Sequence, residues 1–371
     1  MHVNQGEESL SQSHDGQYNV SPSRSFPRRI FDKALGQGFT LAMNGLATLI
    51  RMSPSFLLRM RKLKVLRNVS YGPLGKNHLM DIYTEPEHNL PTKLALSSLW
   101  HTQNPSDDSP NVNIIPQGPK RPFVLYIHGG GFRTLSKDTH WPFALTFAEE
   151  GFVTFVINYR LTPKHVCPAG LEDCAIALDW ILTHHEKLNL DLDRGMIAGE
   201  SAGGHLTLAL TLLLLQKDQE AWAQKIYEHQ WCPKVIAPAC AFLKLKAGQR
   251  RQKNIKPLYL SRLRALGEAY LNQSTRADLA DPLVKLTPQT KFDRPFPPVL
   301  VTVGSADIIL EDSEDLAQAL ELCGIDHKFV VYPNGIHAFH AAIFHSLAQR
   351  CWQDHFQFWK HYDQQASHDP S

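Results

Sequence analysis

The sequence of 371 residues lacks the patterns that mark several common kinds of binding site. Its six cysteines include no Cys-x-x-Cys pair and no Cys/His spacing typical of a metal site, and we expect Cys167 and Cys174 to be buried thiols rather than a disulfide. No internal repeat, glycine-rich phosphate loop or dinucleotide fingerprint is present. We therefore expect an activity that needs neither a metal nor an organic cofactor.

Charge and hydropathy exclude further classes. The formal net charge is only +2, so the chain has no strong general attraction for nucleic acid or for anionic membranes. No apolar run reaches the length that spans a bilayer. Residues 2–25 are polar and lack the charged start and apolar core of a signal peptide, so we expect a soluble protein of the reducing cytoplasm.

The most informative pattern that is present is the pentapeptide Gly-Glu-Ser-Ala-Gly at residues 199–203. A short apolar run precedes it and a helix-like run, residues 205–212, follows it, so the pattern predicts a strand that turns sharply into a helix at Ser201. Such a turn is strained and exposes the serine hydroxyl, while the helix N-terminus faces developing negative charge. Taken alone, the pentapeptide fits a structural turn equally well.

A second motif, His128-Gly129-Gly130-Gly131, directly follows the apolar run of residues 122–127. The run predicts a strand. Three glycines at its end allow successive backbone N–H groups to approach a ligand with no side chain in the way. Upstream of the serine turn, this motif indicates an oxyanion hole and makes a merely flexible glycine turn the weaker interpretation.

Two further residues are placed to act with Ser201. Asp307 follows the apolar run of residues 298–303, and His337 lies on the loop after the run of residues 327–332. In this order the imidazole takes the serine proton and the carboxylate fixes the imidazole tautomer. The acids that follow Asp307 are expected instead to begin the next helix, where they suit its dipole: Glu311, Asp312, Glu314 and Asp315.

With these motifs the chain resembles the hormone-sensitive-lipase-like branch of the α/β hydrolases, which includes bacterial esterases and arylacetamide deacetylase. The resemblance covers residues 65–362 and rests on motifs in the family's order: residues 128–132, 158–165, 171–174, 199–204, Asp307 and 335–339. It implies an α/β-hydrolase fold, with a mostly parallel eight-stranded sheet, helices on both faces and a helical cap.

The resemblance also implies roles for individual residues. Ser201, Asp307 and His337 would be catalytic. Backbone N–H groups of Ala202 and of the glycine loop would form the oxyanion hole, with Gly130 and Gly131 favoured over Gly129. Residues 159–165 are structural in the family and link the fourth strand to the next helix.

Three departures from the family pattern leave every catalytic group in place. Glu200 stands where Asp or Thr is most frequent, which changes the hydrogen bonding beside the serine but not the reaction. Asp307 is followed by Ile308 rather than by the frequent Pro, so the loop there is expected to differ. Residues 95–120 are a long polar insertion that we expect to be a solvated, partly disordered loop.

The N-terminal part divides into a tail and a cap. Residues 1–25 are expected to be a disordered tail, and residues 26–64 to be two cap helices broken near Ser53-Pro54. Basic residues dominate this cap segment, so contact with a membrane surface stays open as an alternative. We favour a cap whose apolar stripe faces the pocket.

The catalytic domain is expected over residues 65–363, followed by a disordered tail at 364–371. Alternating strand-like and helix-like runs predict a mostly parallel sheet covered on both faces. The expected strands are residues 65–71, 78–83, 123–127, 152–157, 195–199, 234–240, 298–303 and 327–332. The expected helices are residues 141–150, 170–187, 202–216, 312–323 and 341–362. A second cap element is expected at residues 244–280, with its basic residues 244–264 as solvated surface.

These expectations converge on a serine carboxylesterase that hydrolyses short-to-medium acyl esters of small molecules through an acyl-enzyme. The same groups suit an amide or N-formyl bond, as in related deacetylases and formamidases, because specificity lies in the pocket and the cap. A non-catalytic receptor is disfavoured, since the related plant gibberellin receptor lacks the histidine and this chain has His337. No nucleic-acid partner is expected, and a homodimer is left open.

Overall fold

The computed structural model describes residues 54–88, 90–93, 96, 118–246, 249 and 255–365, together with Gly45. The predicted N-terminal tail, the first cap helix and most of the polar insertion lie outside the described residues. The last helix continues through Gln365, so the expected tail boundary at residue 364 is wrong. Its apolar face packs on the core up to Tyr362.

In the described part of the chain, eight strands form one sheet. They are β1 Lys64–Ser70, β2 Leu79–Thr84, β3 Arg121–Ile127, β4 Val153–Ile157, β5 Leu190–Glu200, β6 Val235–Ala239, β7 Val299–Gly304 and β8 His327–Tyr332. Their order across the sheet is β1-β2-β4-β3-β5-β6-β7-β8. β2 pairs antiparallel with β1 and with β4, and the remaining neighbours are parallel. The mostly parallel eight-stranded sheet is therefore confirmed, although β5 begins at Leu190 rather than at residue 195.

The described helices are α1 Pro54–Met60, α2 Trp141–Glu149, α3 Ala169–Thr183, α4 Ala202–Leu215, α5 Ala221–Glu228, α6 Pro257–Leu271, α7 Leu310–Leu322 and α8 Ser346–Gln365. The sequence analysis missed α5, a short helix that buries only Ala223 and Ile226. α8 begins later than predicted because residues Phe339–Ala341 form a separate 3₁₀ turn. Among the described helices, none combines the length and the apolar character that crossing a membrane requires.

Both faces of the sheet are covered, as predicted. Along β3, Phe123, Leu125 and Ile127 face one apolar cluster, which includes α3 and α4. Val124 and Tyr126 face the other cluster, which includes α2 and α8. This alternation follows from the two-residue period of a strand, and burying each large apolar side chain contributes about 1.5–3 kcal/mol. The central strands are thus fixed from both sides.

Helix α6 lies within residues 244–280, the segment predicted to be a second cap element, and that role stays a prediction. Its buried residues include Leu263 and Tyr270, and the Tyr270 ring stacks on Phe132 at 3.8 Å between centroids. Leu258 at its start is 70% exposed. The expectation of solvated basic residues is wrong for Lys244, which is 6% exposed and pairs with Asp315, because a buried ammonium requires a partner.

The described part of the N-terminal segment is α1. Phe56 is buried and meets Trp141 of α2 edge-on, with ring centroids 4.2 Å apart. Arg59 pairs with Glu149 at the end of α2. In the described residues this segment therefore packs on α2, and its expected role in lining a pocket stays a prediction.

Candidate active site

Topology gathers the reactive side chains at one edge of the sheet. β5, β6, β7 and β8 are neighbouring parallel strands, so their carboxyl ends lie side by side. Ser201 follows β5, Asp307 lies on the loop after β7, and His337 lies on the loop after β8. This is the edge at which open α/β sheets place their sites.

The three side chains form one hydrogen-bonded chain. Nε2 of His337 lies 2.9 Å from Oγ of Ser201, and Nδ1 lies 3.0 and 2.9 Å from the two carboxylate oxygens of Asp307. Oδ1 of Asp307 also accepts the N–H of Ile309 at 3.0 Å. The Asp307 carboxylate is fully buried whereas the His337 side chain is 33% exposed, so of these two groups the imidazole is the one open to solvent.

Ser201 sits on a strained backbone. Its φ of 56° and ψ of −117° lie in a region that non-glycine residues rarely adopt. Its N–H donates to Ala239 at 3.0 Å, and its carbonyl accepts the N–H of Phe242 at 2.9 Å. A Cβ at Gly203 would lie 1.9 Å from the Ile127 carbonyl oxygen, so the helix after the serine requires glycine there. The strained elbow predicted from the pentapeptide is present, although Ser201 is only 9% exposed.

Within the described residues, two amides of the glycine loop have no hydrogen-bond partner. Gly130 has a φ of 105° and Gly131 a φ of 62°, values that suit glycine. The N–H groups of Gly130, Gly131 and Ala202 donate to no other group in the described residues. They remain available for a developing oxyanion.

Gly129 is different, and its assignment as an oxyanion donor is corrected. Its N–H donates to Oε1 of Glu200 at 2.6 Å. A donor already bonded to a buried carboxylate cannot also point at a substrate. The amide of Gly129 therefore anchors the loop, and two loop donors remain with Ala202.

Glu200 is the centre of a buried network that the sequence did not indicate. Oε1 also accepts from Nε2 of His140 at 2.7 Å, and Oε2 accepts the hydroxyl of Tyr126 at 2.6 Å. Burial raises the pKa of Glu200, but the opposing effects of His140 and Tyr126 outweigh it and hold the pKa below its usual value. Burial, and then the charge of Glu200, raise the pKa of Tyr126. The carboxylate thus stays charged and ties the serine turn to the glycine loop.

A second set of contacts fixes the same loop from outside. The Tyr159 hydroxyl donates to the carbonyl of His128 at 2.8 Å, and the two rings stack at 4.2 Å. Arg160 donates to both Asp173 and Glu172. These contacts support the structural role that the resemblance implies for residues 159–165.

The acids that follow Asp307 lie in α7 and make other contacts. Glu311 and Asp312 lie in the first turn of α7, as predicted. Asp312 is also fully buried, and its Oδ2 accepts the N–H groups of Leu243 and Lys244 at 2.8 and 2.9 Å. Among these neighbouring acids, Asp307 is the one whose carboxylate bonds to His337.

Cys240 is a further neighbour that the sequence analysis missed. It directly follows β6, between the strands that lead to Ser201 and to Asp307. Burial of the His337 ring opposes its charged form, but the sulfur of Cys240 and the carboxylate of Asp307 outweigh burial and raise the pKa of His337. The rule that placed Asp307 and His337 at strand ends could have singled out Cys240, because the predicted strand 234–240 ends on it.

Comparison with known proteins identifies the family of the chain. Residues 124–341, more than half of the chain, match the family described as having the alpha/beta hydrolase fold. Esterase LipU of Mycobacterium tuberculosis is 28% identical over 243 residues, which are 62% of this chain and 74% of that protein. Mouse hormone-sensitive lipase is 36% identical over 110 residues, 28% of this chain and 14% of the lipase.

Solved structures share the fold at lower identity. The structure of esterase B from Lactobacillus rhamnosis covers 92% of this chain and 97% of its own, with a TM-score of 0.69 and 14% identity. At that identity the likeness shows the fold alone. On the family match and the motifs together, the chain belongs to the α/β hydrolase fold family and to its hormone-sensitive-lipase-like branch.

Proposed function

We propose that this protein is a serine carboxylesterase that hydrolyses short-to-medium acyl esters of small molecules. One observation carries the proposal: the unbroken hydrogen-bond chain from Oγ of Ser201 through His337 to the buried carboxylate of Asp307. The relatives support the class, carboxylic ester hydrolase, because esterases and carboxylesterases recur among them. We infer the triad roles and the substrate range from the geometry of the site.

In the proposed first step, Ser201 attacks the ester carbonyl while Nε2 of His337 accepts the hydroxyl proton. Asp307, held by the N–H of Ile309, keeps the other ring nitrogen protonated and stabilises the imidazolium. The C–O bond to the alcohol then breaks, and His337 returns the proton to the leaving alkoxide. Ser201 is left as an acyl ester.

In the second step, water replaces the alcohol. His337 takes a proton from the water, the hydroxide adds to the acyl carbon, and the Ser201 oxygen leaves with that proton. Both tetrahedral intermediates carry negative charge on the former carbonyl oxygen. The N–H groups of Gly130, Gly131 and Ala202 are the proposed donors to it, and each such donor is worth about 10²–10³ in rate.

Helix α6 supports an apolar pocket beside the glycine loop. A Cβ at Gly131 would lie 2.7 Å from Leu266, so this α6 side chain rests directly against the oxyanion loop. Tyr270 lies over Phe132 on the same loop. Apolar side chains above the oxyanion donors suit an acyl chain or an apolar alcohol rather than a charged group. This favours small neutral esters.

A series of p-nitrophenyl esters from acetate to palmitate tests catalysis and pocket length together. We expect kcat/KM to peak at short or medium chains and to fall steeply for palmitate. The matched p-nitroacetanilide and an N-formyl amine form the second arm. Faster turnover of either amide would replace the esterase with an amidase or a formamidase.

Ser201→Ala is the direct test of the nucleophile. We expect kcat to fall by about 10⁶, the size seen when a serine nucleophile is removed, and labelling by a fluorophosphonate to vanish. The fold should persist, since backbone hydrogen bonds of Ser201 to Ala239 and Phe242 hold the turn and Ala occupies the same space. Undiminished labelling in the variant would show that another residue is the nucleophile.

We also propose a cellular compartment for the enzyme. All six cysteines are free, and four of them are buried, which suits a reducing compartment such as the cytoplasm. A peripheral membrane contact through the basic N-terminal segment is the less favoured alternative. It predicts that the full chain sediments with anionic vesicles at low salt and is released as salt rises.

A further inference from the structure

Cys240 has a fixed place beside the reacting groups. Its φ is 35°, a left-handed conformation that is strained for any residue with a Cβ. Its N–H donates to the carbonyl of Thr302 at 2.7 Å, and the carbonyl before it accepts the N–H of Ser201. Backbone held in a strained conformation by its surroundings is typical of functional sites. The proposed ester hydrolysis gives this residue no role.

The thiol completes a set of three atoms that can bind a metal. Sγ of Cys240, a carboxylate oxygen of Asp307 and a ring nitrogen of His337 all lie within 4.8 Å of one another. In tetrahedral zinc sites with bonds of about 2.0–2.3 Å, neighbouring ligand atoms are about 3.3–3.6 Å apart. Movements of roughly 1 Å or less therefore bring the three atoms to zinc-binding distances. Within the described residues, this is the one such group of Cys, His and acidic side chains.

The donor set and its charge favour a thiophilic divalent cation. Sulfur, nitrogen and oxygen donors together suit Zn²⁺, whereas Mg²⁺ and Ca²⁺ prefer oxygen alone. A thiolate and a carboxylate carry two negative charges, which neutralise a divalent cation in a site with a buried thiol and carboxylate. A neutral site avoids the cost of leaving charge buried without compensation. The exposed third of the His337 side chain leaves a path from solvent.

We propose that Cys240, Asp307 and His337 form an inhibitory binding site for Zn²⁺. The binding is independent of the esterase proposal, but the inhibition rests on the proposed role of His337 as the base. Zinc at this site is a regulator or an inhibitor, not a cofactor.

Zinc binding releases one proton to solvent and moves a second proton between the ring nitrogens of His337. The Cys240 thiol releases its proton to solvent, and its sulfur forms the bond to zinc. The proton of His337 moves from Nδ1, beside Asp307, to Nε2, so that the lone pair on Nδ1 binds the metal. With a proton on Nε2, the imidazole can no longer accept the hydroxyl proton of Ser201. Zinc thus stops the first step without touching the nucleophile.

The first experiment measures inhibition. The full chain is treated with EDTA, desalted, kept reduced with a phosphine, and assayed on p-nitrophenyl acetate against rising ZnCl₂. We expect Cys240→Ala to raise the half-inhibitory concentration at least tenfold. Cys174→Ala, which removes a fully buried thiol on α3, is the matched control and should leave that concentration unchanged. Each curve is normalised to the same variant's rate without metal, and MgCl₂ should not inhibit.

The second experiment detects the metal without turnover. Co²⁺ bound to a thiolate gives a near-ultraviolet charge-transfer band, so it reports on Cys240 directly. In the Ser201→Ala background we expect this band, and we expect it to disappear in Ser201→Ala/Cys240→Ala. If Cys240→Ala does not fold, as judged by circular dichroism, Cys240→Ser replaces it with a near-isosteric poor ligand.

The outcomes separate the two proposals. Equal zinc inhibition with and without Cys240, a cobalt band that survives its loss, or neither inhibition nor band in the full chain would overturn the metal site. A Cys240-dependent band in a chain that hydrolyses no ester would retain the site and reject the esterase instead.

Discussion

Two buried carboxylates flank Ser201, and they differ in what they hold. Asp307 bonds to His337, whose side chain is 33% exposed and which sits on a loop. Glu200 bonds to a backbone amide, a buried imidazole and a buried phenol, which leave it little freedom. In the proposed mechanism, the first carboxylate orients a group that moves protons, while the second fixes the loop whose amides face the developing negative charge. We therefore propose that two acids of similar burial have different roles: Asp307 supports proton transfer by His337, and Glu200 keeps the glycine loop rigid.

Substitutions of these two carboxylates are expected to lower activity by different routes. A change at Asp307 disturbs the base itself, so the loss falls directly on the chemical steps. A change at Glu200 acts through the position of Gly129 and hence of its neighbours Gly130 and Gly131. Glu200 is accordingly a positioning residue, and its substitution is expected to cost less than that of Asp307.

The largest effect in this comparison is expected for Asp307→Asn. The amide keeps the shape but favours the wrong imidazole tautomer, and in the worked serine-protease case this change lowers kcat by about 10⁴. Stopped-flow or steady-state hydrolysis of p-nitrophenyl acetate measures the loss. KM should change little because the Asp307 carboxylate is fully buried.

The control for this prediction is Glu314→Gln, an exposed acid on α7. It removes the same charge close to Asp307 in sequence without touching His337. We expect kcat within about twofold of the parent, as is usual for a surface change. A collapse of activity in the Glu314 variant, with Asp307→Asn still active, would mean that the acid has been assigned to the wrong residue.

A smaller effect is expected for Glu200→Gln. The amide places donor hydrogens where Tyr126, His140 and the N–H of Gly129 need an acceptor, so the glycine loop should shift. Partial loss of one oxyanion donor should lower kcat by about 10–100-fold, below the 10²–10³ for complete removal. Glu200→Asp should recover part of kcat, because a carboxylate is restored on a shorter side chain.

Asp312→Asn is the matched control for Glu200. Asp312 is likewise fully buried and accepts two backbone N–H bonds, but from residues 243 and 244 rather than from the glycine loop. We expect it to lower the urea midpoint of unfolding while kcat falls no more than about threefold. If both variants lose stability and kcat in the same proportion, Glu200 is merely structural and the positioning role is wrong.

How much of this site the sequence predicts depends on whether each residue stands in a recognisable local pattern. Ser201, Asp307 and His337 each follow an apolar strand-like run, and the parallel order of the sheet brings such positions together. The cage around Glu200 offers no such signal, because no local pattern marks Tyr126 and His140, 74 and 60 positions away, as its partners. The same limit explains why Gly129 was grouped with the oxyanion donors, since only the fold reveals what its amide contacts.

The smallest effect in the comparison is expected for Tyr126→Phe, which removes a single bond from the Glu200 cage. The ring contact with Phe143 at 5.0 Å is kept, and the N–H of Gly129 still has its acceptor on the other carboxylate oxygen. We therefore expect kcat to fall only a few-fold. Stability should fall more clearly, by about 1.5–3 kcal/mol, because a buried carboxylate oxygen loses its only hydroxyl donor.

Tyr362→Phe is the matched control for Tyr126→Phe. Tyr362 donates to Asp326 at 2.6 Å, the same distance as from Tyr126 to Glu200, but at an exposed position. Water can replace the lost donor there, so its removal should move the urea midpoint much less. Equal loss in the two variants would mean that Glu200 is reached by water and is not caged. A larger loss for Tyr126→Phe, with kcat nearly intact, would show that the bond from Tyr126 to Glu200 stabilises the fold. The position of the oxyanion donors would then depend on the bond from the Gly129 amide to Glu200.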